Sequence, residues 1–160
     1  MAVELDDLDL RIVAVLLRDG RAPASQIADQ VGLSRPAVAD RIEKLERLGV
    51  IRGYTSVIEP GAVGKHVTAF VAARGAAFMD AKVKKTFRDL MRSDEVLEAH
   101  TVAGDDCYLI KVRTDSIPSL NAFVSKLTAP PLGLSTRTTI VMKTHCEKLG
   151  GIMLSDEEER

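Results

Sequence analysis

The sequence predicts an α+β chain in two domains: a winged helix-turn-helix over residues 1–58 and a ferredoxin-like βαββαβ domain over residues 67–150. Three observations carry this prediction. Up to Leu48 the apolar residues recur at helical spacing, and glycines stand where helices should end. From Val67 onward the pattern alternates with the period of a strand, interrupted twice by helical spacing. Between the two lies Glu59-Pro60-Gly61-Ala62-Val63-Gly64, so rich in breakers that residues 59–66 read as a hinge or linker. Residues 151–160 form an acidic tail, with its charge between Ser155 and Arg160.

The first helix opens at Leu5-Asp6-Asp7-Leu8-Asp9, where aspartates suit a helix start as caps and as charges facing the dipole. Leu8, Ile12, Val15 and Leu16 form its apolar stripe, and Asp19-Gly20 stops it. The second helix ends at Gly32, which can take positive φ without a Cβ penalty, and the small Ala28 lets another helix cross it closely. Ser34 caps the third helix, and Pro36 is tolerated in its first turn. Val38, Ile42, Leu45 and Leu48 give that helix a buried face. Arg35, Asp40, Arg41, Lys44 and Arg47 are assigned to the opposite face, with Ala37 and Ala39 near the N-terminal end. Gly49 ends the helix, and two β-rich runs around Arg52-Gly53 suggest a wing.

In the second half, strands are expected at Val67–Ala73, Val96–Ala103, Tyr108–Thr114 and Ser135–Met142. One helix places Val83, Phe87 and Leu90 on its face. The other starts at Asp115 or Ser116, uses Ile117, Leu120, Val124 and Leu127, and stops at Pro130-Pro131. The order β-α-β-β-α-β puts both helices on one face of an antiparallel sheet, and a second subunit is the economical cover for the other.

The totals are those of an ordinary folded protein: 46% apolar, 28% charged, 160 residues. A net charge of -1 argues against indiscriminate polyanion binding, although a local basic patch suffices for a sequence-specific reader of double-stranded DNA. With no Trp and 4% aromatics, stacking platforms for single strands are disfavoured. The acidic N-terminus does not read as a signal peptide, and no apolar run is long enough to span a bilayer. Cys107 and Cys146 make no disulfide framework, so a cytoplasmic address is expected.

Ordered along the chain, several segments resemble the Lrp/AsnC family of feast/famine transcriptional regulators. These are Leu5-Asp6-Asp7-Leu8-Asp9, Asp19-Gly20-Arg21, Ala28, Val31-Gly32-Leu33-Ser34, Arg41-Ile42-x-x-Leu45-Glu46, Gly49-Val50-Ile51-x-Gly53-Tyr54 and Gly64. The resemblance runs from Leu5 to about Leu149. It implies a C-terminal domain of the RAM type that pairs its sheets into homodimers; dimers of the family commonly assemble further, so dimer, tetramer and octamer all stay open. It also implies a small-molecule effector, an amino acid, bound between subunits.

By the resemblance, Ser34, Arg35, Pro36, Ala37 and Arg41 meet operator DNA, with Arg52 and Tyr54 on its backbone; the charge of Lys44 adds a phosphate contact. The effector site is implied at the turn Val102-Ala103-Gly104-Asp105-Asp106-Cys107-Tyr108. Family members often carry Gly-Asp-aromatic-Asp there. This chain has Asp106 in the aromatic place and Cys107 in that of the second Asp, so the identity of a ligand does not carry over. Chemically the turn suits an amino acid. Asp105 or Asp106 can pair with an ammonium, Gly104 exposes an N–H to a carboxylate, and Thr136 and Thr138 can add hydroxyls.

Other chemistries fit less well. His100, Asp105, Asp106, Cys107, His145 and Cys146 match no zinc spacing, so neither a metal nor another cofactor is expected. A catalytic reading would pair an aspartate of the turn with His100 or Cys107. No nucleophile–base order or phosphate loop supports it, and no enzyme is expected. The alternative function is a ligand-binding or enzymatic ferredoxin-like protein whose helical half does not read DNA. The basic third helix argues against it.

Overall fold

Two of the three N-terminal helices begin where the sequence supplies a side-chain cap, and the other follows Pro23. In the computed structural model, which describes residues 4–75 and 81–147, the three are α1 (Asp7–Arg18), α2 (Ala24–Val31) and α3 (Arg35–Arg47). Asp6 caps α1 by accepting a 2.7 Å hydrogen bond from the N–H of Asp9. Gly32, at φ 74°, closes α2 and sends the chain into the corner. Ser34 then caps α3 by accepting from the N–H of Ala37. Ile12, Ile27, Val38 and Leu45 are fully buried between the three helices, and Ala28 is nearly so, which allows the close crossing. Four such side chains contribute about 1.5–3 kcal/mol each by leaving water.

Three expectations for this half need correction. Leu48 was assigned to the buried face but is 43% exposed. It lies past the last helical turn, where Gly49 takes φ 71° and the N–H groups of Val50 and Ile51 return to the carbonyl of Leu45. Val50 and Ile51 pack on the core in its stead. The expected wing carries no strand among the described residues: Val50 and Ile51 of its first run pack on the helical core, and residues 52–58 are exposed. Arg41 and Lys44, placed by the sequence on the face opposite the core, turn toward α1 instead, for reasons of charge given below.

The chain divides into two compact units between Val57 and Ile58, the second reaching His145. In that second unit the breaker-rich run folds as a single 3-10 turn, Pro60–Val63, capped by Glu59 and closed by Gly64. The order that follows is β1 (Val67–Arg74), α4 (Ala81–Leu90), β2 (Val96–Thr101), β3 (Tyr108–Thr114), α5 (Ile117–Thr128) and β4 (Ser135–Ile140). All pairings are antiparallel, in the order β2-β3-β1-β4. A ferredoxin-like split βαβ unit gives this order. β2 ends at Thr101 and β4 at Ile140, two residues short of expectation in each case.

Alternation along the strands decides which face is covered. Ala69, Val71 and Ala73 of β1 pair with Val112, Ile110 and Tyr108 of β3, and all six are buried beneath Leu120, Phe123 and Leu127 of α5. Val83, Phe87 and Leu90 of α4 pack on the same cluster, with the Phe87 and Tyr108 rings 4.7 Å apart. Ile117, expected on the buried face of α5, is 52% exposed because it occupies the first turn; Phe123 fills the core instead. The intervening positions face away from the helices. They include Phe70 and Leu109, each 37% exposed, with Lys111 and Arg113 beside them. The acidic tail at 151–160 lies outside the described residues.

Candidate DNA-reading helix and effector turn

Helix α3 has a basic edge turned toward α1 and an outward side of mixed charge, with Arg35, Asp40, Glu43, Glu46 and Arg47 exposed. On the inward edge Arg41 Nη1 donates to Asp6 Oδ2 at 2.7 Å and to Asp9 Oδ1 at 2.6 Å, and Lys44 Nζ donates to Asp9 Oδ2 at 2.8 Å. Asp9 is completely buried, whereas the Arg41 and Lys44 side chains are 26% and 38% exposed. Burial pushes the Asp9 carboxyl up, but the hydrogen bonds from Lys44 and Arg41 outweigh it and hold it below its ordinary value. Asp6 is also lowered, first by Arg41 and then by the N–H of Asp9. The two basic groups thus have their charge compensated inside the chain. In the chain without DNA they form a clamp between α1 and α3, with part of each side chain still open to solvent.

The other residues singled out for DNA are distributed as follows. Ser34, Arg35 and Pro36 are exposed at the N-terminal end of α3, and Ala37 is half-buried with its N–H on Ser34. Arg52 is exposed beyond the helix. Tyr54 is 52% exposed, and its hydroxyl donates to Glu46 Oε1 at 2.9 Å. Partial burial, and then Glu46, push the Tyr54 phenol up to about 12, so it keeps its proton.

In the second unit, residues 102–107 join β2 to β3. The N–H of Val102 donates to Cys107 O, and the N–H of Cys107 donates to Ala73 O, each at 3.0 Å. These bonds tie the turn to the end of β1. Ala73 also pairs with Thr136 of β4, so the turn and Thr136 lie at the same end of the sheet. Ala103, Gly104 and Asp105 are exposed, and Gly104 has φ 138°, a conformation that side chains resist. Thr136 is half-buried, and Thr138, opposite Val71, is exposed.

Asp106 Oδ2 accepts from Arg137 Nη2 at 2.9 Å. Of the two aspartates that sequence left open for an ammonium, Asp106 therefore already has a cationic partner. Sequence reasoning missed Arg137, since nothing local links positions 106 and 137; a strand-pairing register would have found it. Of the groups weighed for metal, His100 lies 3.4 Å from Glu98, Cys107 is half-buried, and Cys146 is exposed. No three potential ligands gather among the described residues.

Comparison with known proteins gives one answer for both units. Residues 5–46 match the AsnC-type helix-turn-helix domain, and residues 68–149 match the Lrp/AsnC ligand binding domain. The chain is 35% identical over 147 residues to the HTH-type transcriptional regulator FL11 of Pyrococcus abyssi, covering 92% of this chain and 95% of that one. It is 35% identical to the HTH-type transcriptional regulator LrpA of Mycobacterium tuberculosis, over 88% and 91% of the two chains. The crystal structure of the latter organism's leucine response regulatory protein superimposes with a TM-score of 0.78 at 33% identity, covering 90% and 97%. A feast or famine regulatory protein from M. tuberculosis, complexed with L-methionine, gives 0.80 at 33% identity, over 91% and 97%.

Proposed function

The chain belongs to the Lrp/AsnC family of transcriptional regulators, with a DNA-binding and a ligand-binding domain, and from that premise we propose that it is a cytoplasmic, sequence-specific regulator governed by an amino acid. The observation that carries the DNA half is the exposed, capped N-terminal end of α3, where Ser34, Arg35 and Pro36 stand clear of the core. A helix-turn-helix uses this end to approach base edges. Arg52, past the other end of α3, neutralises a phosphate. Ala37 lines the N-terminal turn, and the Arg41–Lys44 edge serves indirectly by fixing α3 on α1.

For the effector half, the supporting observations are the exposed Gly104–Asp105 turn and a relative crystallised with L-methionine. Asp105 takes the α-ammonium, the Gly104 N–H meets the carboxylate, and Val102, Ala103, Asp106, Thr136 and Thr138 line the site. A second copy covers the sheet face that carries Phe70 and Leu109, so the operator is read by paired helices at half-sites about one helical turn, or a multiple, apart. The amino acid shifts binding only to the extent that it prefers one arrangement of the oligomer.

A thermal-shift screen of the purified protein against the twenty free amino acids tests the effector reading. A ligand specific to the folded state at about 100 times its Kd adds roughly 2.7 kcal/mol. We expect one or a few amino acids to raise the midpoint, and no shift from any would overturn the amino-acid reading while leaving the DNA reading standing.

A further inference from the structure

With Arg41 and Lys44 clamped to α1, the side of α3 left open to solvent changes character. Its exposed positions are Arg35, Pro36, Ala39, Asp40, Glu43, Glu46 and Arg47. Asp40 and Glu43 have no hydrogen-bond or ion-pair partner among the described residues. A free carboxylate in the middle of a DNA-facing surface is unfavourable unless something there donates to it, because phosphates repel it from both sides of the groove.

Asp40 stands six residues past the Ser34 cap, less than two turns from the helix start. That is about 8 Å along the axis from Arg35, within the part of a recognition helix that reaches base edges. Glu43 lies about one further turn along, nearer the groove's rim. A carboxylate only accepts hydrogen bonds. In the major groove, cytosine offers the N4 amino group as a donor, whereas adenine sets an N7 acceptor beside its N6 donor and suits Asn or Gln better.

We infer that Asp40 is a specificity-determining residue, accepting a hydrogen bond from the N4 amino group of a cytosine in each operator half-site. The inference rests on the reading of α3 as the helix that enters the groove. The same carboxylate lowers affinity for every sequence that lacks the donor at that step. Discrimination then comes as much from rejecting wrong sites as from attracting the right one.

The test is selection from a pool of fully randomised 30-base-pair duplexes by the full-length wild-type protein, Asp40→Ala and Asp40→Asn. Asp40 is exposed, so both variants should match the wild-type unfolding midpoint. The wild type should fix one C·G pair per half-site with a preference of roughly five- to hundred-fold. Asp40→Ala should lose that preference alone while binding unrelated duplex several-fold more tightly, and Asp40→Asn should move it to A·T. Identical enriched sequences for all three proteins would overturn the inference and leave DNA reading intact. Failure of the wild type to retain any duplex would instead overturn the DNA reading itself, and the inference with it.

Discussion

Replacing Asp9 by Asn tests whether the buried carboxylate holds α3 in place. The substitution keeps the shape and removes the charge. Asp9 Oδ1 and Oδ2 accept from Arg41 and Lys44 at 2.6 and 2.8 Å, from a site with no solvent exposure. An amide offers one acceptor where two cationic donors converge, so at least one charge-assisted bond is lost, worth about 1.5–3 kcal/mol. Both cations are partly exposed and can turn to water, which rules out the larger penalty of a stranded buried charge. We therefore expect a loss of about 2 kcal/mol from the helical unit. For a domain of this size that lowers its midpoint by roughly 8–16 °C. Hydrogen exchange read by mass spectrometry separates this unit from the sheet. The slowest amides of α1 and α3 should exchange about 30-fold faster, and those of β1 and β3 at an unchanged rate. In a cycle with Lys44→Met the two changes should be coupled by about 1 kcal/mol. Exchange in α1 and α3 within threefold of wild type, with no coupling, would refute the clamp.

Acid should act on the same clamp. Asp9 and Asp6 titrate below the ordinary carboxyl value in the folded chain, so their contribution is fully present above the unfolded value and is lost as pH falls through the folded one. Thermal melts of the helical unit should be flat from about pH 7 to 5 and drop below about pH 4; a midpoint that holds to pH 3 contradicts this. Arg41→Ala should destabilise α1 and α3 yet leave the slope of log K against log salt unchanged, where a phosphate contact would remove about 0.9. Gly104→Gln puts a side chain at φ 138° and should abolish the amino-acid-induced thermal shift, with DNA affinity and particle size by light scattering unaltered. A full ligand response in that variant would place the effector elsewhere.

What the sequence made legible, and what it hid, divides along the range of the interactions. Caps, glycine corners and periodicities are decided within a few residues. Asp6, Ser34, Gly32 and Gly49, together with the βαββαβ order, were therefore readable in advance. The two runs of the wing form no strand because β-propensity does not say whether runs will pair, and here Val50 and Ile51 pack on the helices instead. Arg41 and Lys44 were misplaced for a similar reason. On a helical wheel they are ordinary surface cations, and only the packing of α1 against α3 puts Asp9 between them. Asp9 itself looked like a favourable charge at a helix start, and that local reading concealed a second, nonlocal use for the same carboxylate. The pairing matters for function because it changes the balance of charge on the open side of α3. Arg41 and Lys44 are engaged by Asp6 and Asp9, so Asp40 and Glu43 share the outward side of α3 with Arg35 and Arg47 alone among its basic residues. On the proposed reading of α3 as the helix that enters the groove, such a surface binds nucleic acid less strongly at random and draws more of its affinity from base edges. That arrangement is compatible with a chain whose net charge is only -1 and which nonetheless belongs to a family of DNA-binding regulators.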